Sequence, residues 1–322
     1  MFACTLFGID RQVYYRKIQR RIIKQDKAQL IVNMVLEIRT LMPRIGAKKL
    51  YYLLGNELKT LKIGRDKFID ILRANHLLIL PKRSYHITTN SHHRFRKYKN
   101  QLLDLQINQP EQVWVSDITY IGKREKPCYL SLITDAYSKK IVGYNVSDNL
   151  NTESSLVALR LAIKQRKNKE IPLIHHSDRG LQYCANEYQK ILNKNEIQPS
   201  MTQNSDPYEN AVAERINGIL KQEFYIDKYN KDLHIMKQII KETVDIYNEK
   251  RPHLSNHMLT PNQMHQQNKV AMKTYKTKNR SKEILASVQY LFFNCRIRLF
   301  ITTDQLLNWL IIFKQFHRSC FC

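Results

Sequence analysis

Residues 174–224 read IHHSDRGLQYCANEYQKILNKNEIQPSMTQNSDPYENAVAERINGILKQEF. The stretch opens at the end of an apolar run and continues into His-His-Ser-Asp-Arg-Gly. That pattern is typical of a buried strand that delivers an acid, Asp178, to a glycine turn. A polar loop then leads into a predicted helix that carries Glu214, so 35 residues lie between the two carboxylates. The stretch therefore predicts one acid after a strand and a second acid on a helix.

A third acid, Asp117, lies upstream in the middle of Val113–Ile121, a run rich in β-branched and aromatic residues that predicts a strand. A carboxylate buried in a sheet is costly unless its charge is paired or bound to a metal. Taken singly, Asp178 also suits a simple turn, and Glu214 also suits a solvent-exposed helix face. Taken together, three acids on two strands and a helix offer the oxygen ligands that Mg²⁺ or Mn²⁺ prefers. Such ions assist phosphoryl transfer.

These residues resemble the DDE transposases of bacterial insertion sequences, and most closely the insertion-sequence-three family. Besides the strand around Asp117, the resemblance rests on five short runs: HSDRGLQY at 176–183, NAVAE at 210–214, TDAYSKKIVG at 134–143, YNEKRPH at 247–253 and TP at 260–261. It covers roughly residues 5–265. The core of that family is similar to the core of retroviral integrases and has a ribonuclease-H-like fold.

The resemblance implies a function and a site. Asp117, Asp178 and Glu214 would be both the catalytic residues and the ligands of two Mg²⁺ or Mn²⁺ ions. The reaction would be DNA cleavage at the ends of an element, followed by strand transfer. Lys221, two turns along the helix from Glu214, would contact a phosphate, although a plain surface lysine is an equal alternative. The implied partners are double-stranded DNA and further copies of this chain. The resemblance also allows a separate DNA-binding protein, encoded by a first reading frame, as a third partner.

The net charge of +25 and the pI near 9.8 indicate a polyanionic partner. The excess is unevenly distributed: residues 1–110 carry +15, residues 111–270 carry +3 and residues 271–322 carry +7. A ribosomal-type basic protein is the alternative, but the basic charge lies mostly outside the segment with the three acids. This division suits a DNA-gripping arm attached to a metal-dependent core.

Residues 1–80 are predicted to be a helical DNA-binding region with two helix-turn-helix patterns. In the first, Gly8 supplies the turn and Asp10 caps a helix that exposes Arg11, Gln12 and Arg16 as candidate DNA contacts. A plain amphipathic helix is the alternative there. A further helix is predicted over residues 25–40, and the second pattern comprises helices over residues 48–58 and 66–75. A basic linker, residues 81–110, follows. Its candidate phosphate contacts are Lys82, Arg83 and Arg96.

Residues 111–265 are predicted to form an α/β core, a mixed sheet with helices on both faces. The predicted strands are 113–121, 128–134, 140–147, 171–176 and 198–203, and the predicted helices are 152–165, 184–194, 208–224 and 232–250. Asp135 is interpreted as a turn cap. The run 247–253 is interpreted as structural, with Lys250 and Arg251 available to phosphate. Residues 266–322 form a basic and apolar tail that the resemblance does not cover.

Two other functions remain open at this point. A ribonuclease-H-like nuclease uses similar clustered acids, and an inactive or repurposed remnant of an element would bind DNA without cutting it. The six cysteines contain no Cys-x-x-Cys pair, which favours reduced thiols over a disulfide framework. We find no signal peptide pattern and no apolar run of the ~20 residues that a transmembrane helix needs. We therefore expect a soluble protein in the bacterial cytoplasm that has no membrane partner.

Overall fold

A computed structural model of the chain describes residues 8, 10–79, 98, 100–102, 105–122, 127–202, 210–229 and 232–267. All of them lie within Met1–Val270, which forms one unit. No helix in these ranges is long and apolar enough to cross a membrane. The predicted tail lies outside the described residues beyond Gln267, and so does most of the predicted basic linker.

The N-terminal region is helical, as predicted. Its helices are α1 Arg11–Leu41, α2 Ala47–Leu53, α3 Gly55–Thr60 and α4 Arg65–Ala74. Asp10 caps α1, because its Oδ1 accepts hydrogen bonds from the backbone N–H of Gln12 at 2.7 Å and of Val13 at 3.4 Å. The capped helix and the helix predicted over residues 25–40 are one continuous helix. The predicted helix over residues 48–58 is instead two short helices that meet at Leu54.

The core contains a five-stranded sheet in the order β3-β2-β1-β4-β5. Its strands are β1 Val113–Ile121, β2 Cys128–Asp135, β3 Ile141–Ser147, β4 Leu173–Ser177 and β5 Ile197–Met201. The first three strands pair antiparallel, whereas β4 pairs parallel with both β1 and β5. The mixed sheet that the sequence predicts is therefore confirmed.

Helices cover both faces of this sheet. They are α5 Thr152–Gln165, α6 Leu181–Cys184, α7 Asn186–Lys194, α8 Ala211–Glu223, α9 Leu233–Glu249 and α10 Pro261–His265. On one face, α5, α6 and α7 enclose an apolar cluster around Trp114 and Leu159. On the other face, α8 and α9 pack over Leu130 and Leu132, in an apolar cluster that continues into the N-terminal helices. The predicted α/β class with a helical N-terminal region is confirmed.

Several boundaries of the core elements differ from the predicted ones by one to three residues, and two of these differences have a clear local description. The strand predicted over residues 171–176 begins at Leu173, because Pro172 has no N–H to donate to a sheet ladder. The helix predicted over residues 184–194 is interrupted at Ala185, whose extended backbone (φ −61°, ψ 139°) separates α6 from α7. Both differences are local, and the order of the elements is as predicted.

Candidate active site

The sheet register places Asp117 beside Asp178. Ser116 of β1 pairs with Ser177 of the parallel strand β4, and each serine is followed directly by one of the two acids. Neighbouring strands lie about 4.8 Å apart, and residues at matching positions of a parallel pair point to the same face. Two carboxylates 61 positions apart in the sequence therefore lie side by side.

Asp117 is half-buried and well oriented. Its Oδ1 accepts a hydrogen bond from the backbone N–H of Ile118 at 2.9 Å, and its Oδ2 accepts one from Asn217 Nδ2 at 2.7 Å. Burial raises the pKa of Asp117 to about 7, the charge of Asp178 adds to the rise, and that of Glu214 contributes least. The hydrogen bonds from Asn217 and Ile118 act in the opposite direction. Both other predicted acids thus act electrostatically on Asp117.

Asp178 is oriented by the turn that follows it. Its Oδ1 accepts a hydrogen bond from the backbone N–H of Gly180 at 3.0 Å. A Cβ atom on residue 180 would lie 3.0 Å from the same carboxylate oxygen, so glycine permits the close approach. The Nε of the intervening Arg179 donates a hydrogen bond to the backbone carbonyl of Thr202 at 2.6 Å. The predicted strand-acid-glycine turn is present, and it fixes the direction of the carboxylate.

Helix α8 lies across the end of this strand pair. Asn210, which precedes its first residue, donates from Nδ2 to the backbone carbonyl of Ser116 at 3.1 Å, and Asn217 donates to Asp117. Both asparagines are buried. With Glu214 and Lys221 they recur in the sequence at i, i+4, i+7 and i+11, which makes one polar stripe along α8. Glu214 itself is exposed in the first turn, and partial burial of its carboxylate raises its pKa.

The three acids do not surround a single metal-binding position. Within the ranges that the structure describes, no group of three or more His, Cys, Asp or Glu side chains is close enough to hold a metal ion. Residues 203–209, which lead into α8, lie outside those ranges. The charge of Asp178 acts on Asp117 more strongly than that of Glu214. That all three act as metal ligands stays a prediction.

Lys221 is half-buried near the same acids. Its Nζ lies 5.4 Å from the ring centroid of the exposed Tyr120 in β1. Burial lowers the pKa of Lys221, and the charges of Asp117 and Asp227 oppose that effect. The predicted phosphate contact therefore lies on the acid-bearing side of α8, next to an aromatic ring.

The other candidate DNA contacts separate into two groups. Arg11, Gln12 and Arg16 are exposed near the start of α1, where Arg16 donates to Gln12 Oε1 at 2.9 Å. Lys82, Arg83 and Arg96 lie outside the described residues. The structure therefore describes only the first group, which lies on the exposed surface of α1.

The two adjacent histidines of β4 take part in strand alignment. His175 Nε2 lies 2.6 Å from Ser116 Oγ of β1 and 3.0 Å from the hydroxyl of Tyr188 in α7. His176 Nδ1 lies 2.9 Å from Ser200 Oγ of β5. Burial lowers the pKa of His175 to about 3, so this imidazole is neutral. The pair connects β4 with both of its neighbours.

The interpretation of Arg251 as available to phosphate is wrong. Its side chain is only 2% exposed, and its Nε and one terminal nitrogen donate to the two carboxylate oxygens of Glu223, both at 2.8 Å. Sequence reasoning also missed the hydrogen bond from Asn217 to Asp117. The polar stripe of α8 was a signal for Asn217, whereas nothing local in the sequence relates residue 223 to residue 251.

Asp135 caps a turn, as predicted, and also accepts a hydrogen bond from a residue outside that turn. Its Oδ1 accepts hydrogen bonds from the backbone N–H of Ser138 at 2.7 Å and from Ser138 Oγ at 2.8 Å. Its Oδ2 accepts a third hydrogen bond from the backbone N–H of Glu111 at 2.7 Å. His265 lies beside this group, with Nδ1 3.8 Å from Asp135 Oδ1 and Nε2 3.7 Å from Glu111 Oε1. The acid belongs to a buried structural cluster.

Comparison with known proteins identifies the family. Two families described as integrase core domains match residues 107–207 and 195–261. The insertion element IS600 uncharacterized 31 kDa protein of Shigella sonnei is 33% identical over 259 residues, which are 78% of this chain and 92% of that protein. The transposase for insertion sequence element IS904 of Lactococcus lactis is 34% identical over 148 residues, which are 45% of this chain and 57% of that relative.

A solved structure shows a looser likeness. The catalytic core domain of HTLV-2 integrase, in complex with magnesium, is 20% identical and has a TM-score of 0.39. The match covers 49% of this chain and 97% of that domain. The family assignment rests instead on the two domain matches and on the relative that is matched over almost its whole length. The chain belongs to the DDE transposases of insertion sequences, in the insertion-sequence-three family.

Proposed function

We propose that the chain cleaves DNA at the ends of an insertion element and joins the freed ends to target DNA by transesterification. The observation that carries the proposal is the register that sets Asp117 beside Asp178, with α8 held against Asp117 by Asn217. This arrangement belongs to a chain whose relatives are named as insertion-element proteins. Paired acids of this kind are suited to metal-dependent phosphoryl transfer.

The proposed cofactor is Mg²⁺ or Mn²⁺, with two ions in each site. Support comes from Asp117, whose pKa burial and the neighbouring Asp178 raise to about 7. Two carboxylates held side by side repel each other, and a divalent cation relieves that repulsion. Their oxygens are the hard ligands that these cations prefer. When bound, such ions activate water and stabilise the charge on the attacking and leaving oxygens.

We assign a role to each side chain of the site. Asp117 and Asp178 would bind one ion, and Glu214 would complete the binding site of the second ion. Asn217 keeps Asp117 pointing toward Asp178 through its 2.7 Å hydrogen bond. Lys221 would contact a phosphate of the DNA on the same side of α8. None of these residues forms a covalent bond with the substrate.

The reaction has two steps. In the first, water attacks the phosphorus at the element end, and the bond to the 3′ oxygen breaks to leave a free 3′ hydroxyl. In the second, that hydroxyl attacks a phosphodiester of the target, so one P–O bond forms while another breaks. The number of phosphodiester bonds is conserved in the second step. The chain therefore supplies positioning and charge rather than a nucleophile of its own.

The partners follow from this chemistry. Double-stranded DNA is the substrate, and the exposed Arg11, Gln12 and Arg16 on α1 are the proposed contacts outside the core. The three acids lie on one chain, so simultaneous processing of both ends requires at least two copies. We place this activity on DNA in the bacterial cytoplasm. Binding by a basic arm should weaken steeply with salt, since it releases counterions.

The decisive experiment uses the full chain, Mn²⁺ and a labelled DNA duplex that ends in the terminal repeat of the element. The unmodified protein should nick the duplex at the element end and join it to a second DNA. The Asp178→Asn variant should lose both activities and still shift the labelled duplex in a gel. Asp148→Asn, which changes an exposed acid after β3, is the matched control and should behave like the unmodified protein.

Three results would contradict the proposal. Cleavage by Asp178→Asn at the unmodified rate would remove the site assignment. Cleavage without any joined product, across a range of target DNAs, would favour a ribonuclease-H-like nuclease over a transposase. DNA binding without cleavage by the unmodified protein would instead favour an inactive remnant.

A further inference from the structure

Three contacts from the N-terminal region, one from α2 and two from the turn between α1 and α2, converge on the C-terminal end of α8. Lys49 Nζ of α2 lies 2.8 Å from Glu223 Oε1, the last residue of α8. The backbone N–H of Arg44 donates to the backbone carbonyl of Glu223 at 3.0 Å. The Arg44 guanidinium also lies 5.7 Å from the ring centroid of Tyr225. The region that carries the candidate DNA contacts is thus attached to the helix that carries Glu214.

Glu223 is also held from the core side. Arg251 donates to both of its carboxylate oxygens, in the paired geometry that makes guanidinium–carboxylate contacts directional. The three side chains are 11%, 19% and 2% exposed for Lys49, Glu223 and Arg251. Burial alone would raise the pKa of Glu223, but the hydrogen bonds and charges of Arg251 and Lys49 outweigh it and lower the pKa. The carboxylate is therefore ionised and joins two regions of the chain.

Helix α8 connects this contact with the candidate active site. Glu214 and Glu223 are nine residues apart in one helix, which is about 13 Å along its axis. The helix is fixed against β1 between these positions, because Asn217 bonds to Asp117. A displacement of the N-terminal region at Glu223 would change where its bound DNA lies relative to Glu214.

We propose that Glu223, held between Lys49 and Arg251, is a positioning residue that sets the distance between the DNA gripped by the N-terminal region and the carboxylates that cleave it. The inference rests on the proposed function. It adds that the contact at Glu223 determines which phosphodiester of the DNA is cleaved. Lys49 acts through Glu223 and does not touch the DNA at the site of reaction.

Lys49→Met is the informative change. Methionine keeps the length of the apolar stem, and Arg251 still pairs with both oxygens of Glu223. Lys49→Met therefore removes the ion pair between the Glu223 side chain and the N-terminal region, while the backbone hydrogen bond from Arg44 remains. Lys48→Met is the matched control, because Lys48 is exposed in the same helix. Lys49→Arg retains the charge and should restore the contact. Lys49→Gln is a second neutral variant.

The measurement is the position of each nick, at single-nucleotide resolution, on a labelled duplex that ends in the terminal repeat. Lys49→Met should bind the duplex within about twofold of the unmodified protein. It should cleave at the unmodified position at least about tenfold less, with nicks spread to neighbouring nucleotides, since a displacement of about 1 Å can cost about 100-fold in rate. Lys48→Met and Lys49→Arg should give the unmodified pattern.

The proposal is overturned if both neutral variants cut at the unmodified position within twofold of the unmodified rate. It is also overturned if they lose activity uniformly with no change of position, or if neither gives a cooperative thermal unfolding transition. The proposed function is tested separately, since it depends on cleavage by the unmodified protein and on its loss in Asp178→Asn. A failure of the Lys49 experiment leaves that result unchanged.

Discussion

The two ends of helix α8 carry glutamates in opposite situations. Glu214 is exposed in the first turn, and no hydrogen bond or ion pair of its side chain is found in the part of the chain that the structure describes. Glu223, the last residue, is held by Lys49 and Arg251 at 2.8 Å. The pKa of Glu214 is raised by partial burial, whereas the pKa of Glu223 is lowered because its cationic partners outweigh burial.

The difference separates two uses of the same side chain. A carboxylate whose lone pairs are already occupied by cations stabilises the fold and has little capacity for a metal ion. A carboxylate without partners contributes little to stability and remains available to a ligand. A related difference exists between Asp135, which accepts three hydrogen bonds within a buried cluster, and Asp117, which accepts two and also faces the charge of Asp178.

The largest expected effect is a loss of cleavage activity when Glu214, at the unpaired end of α8, is substituted. Glu214→Gln keeps the shape of the side chain and removes its charge. If Glu214 supports several kcal/mol of transition-state stabilisation, cleavage should fall by about 10³-fold, at about 1.4 kcal/mol per factor of ten. The free energy of unfolding should change by no more than about 0.5 kcal/mol, as for an exposed residue. Single-turnover cleavage and urea unfolding measure the two quantities.

Glu187→Gln is the matched control for that change. Glu187 is also exposed in the first turn of a helix, α7. It is not one of the three candidate catalytic acids. It should leave both cleavage and stability unchanged. If Glu214→Gln cleaved as fast as this control, the exposed end of α8 would not be catalytic.

At Glu223, the paired end of α8, the expected effect of a substitution is a loss of stability. Glu223→Gln leaves the buried Arg251 with no opposite charge and should lower the free energy of unfolding by about 3 kcal/mol, since breaking one partner of a buried pair typically costs 3–5 kcal/mol. Urea unfolding measures the loss. Glu242→Gln, in an exposed position of α9, is the control. A loss below about 1 kcal/mol would mean that Glu223 is no more structural than Glu214.

The sequence predicted the acids of the candidate active site better than the buried ion pairs at the other end of α8. Asp117, Asp178 and Glu214 lie in short runs whose order and spacing carry a family resemblance, and the strand patterns placed the first two correctly. The contact between Lys49 and Glu223 joins residues 174 positions apart, and no local pattern encodes it. For the same reason, Arg251 was interpreted as a phosphate contact, although it is buried against Glu223. Long-range pairing of charges is decided by packing.

A smaller effect is expected in the middle of α8. Asn217→Ala removes the 2.7 Å hydrogen bond to Asp117, and a hydrogen bond to a charged group contributes about 1.5–3 kcal/mol. Cleavage should therefore fall by about 10- to 100-fold, between the effects at Glu214 and at an exposed control. The loss should be greater at pH 6.5 than at pH 8, because that hydrogen bond lowers the pKa of Asp117 and a protonated carboxyl binds a cation poorly. A rate equal to that of the unmodified protein at both pH values would show that Asn217 does not position Asp117.

The smallest effect concerns His265, where pairing depends on pH. Burial lowers the pKa of His265, but Asp135 and Glu111 outweigh burial and raise it above its ordinary value. A group with a raised pKa in the folded state contributes stability below its unfolded pKa of about 6.5, and that contribution is lost as the pH rises through the folded value. His265→Gln should therefore lower the free energy of unfolding more at pH 5.5 than at pH 8.5, by a difference on the order of 1 kcal/mol. His234→Gln, exposed in α9, should have little effect at either pH. Urea unfolding at the two pH values decides the point, and an equal loss at both would mean that the imidazole is held by packing and by the 2.9 Å hydrogen bond to Ser138 rather than by its charge.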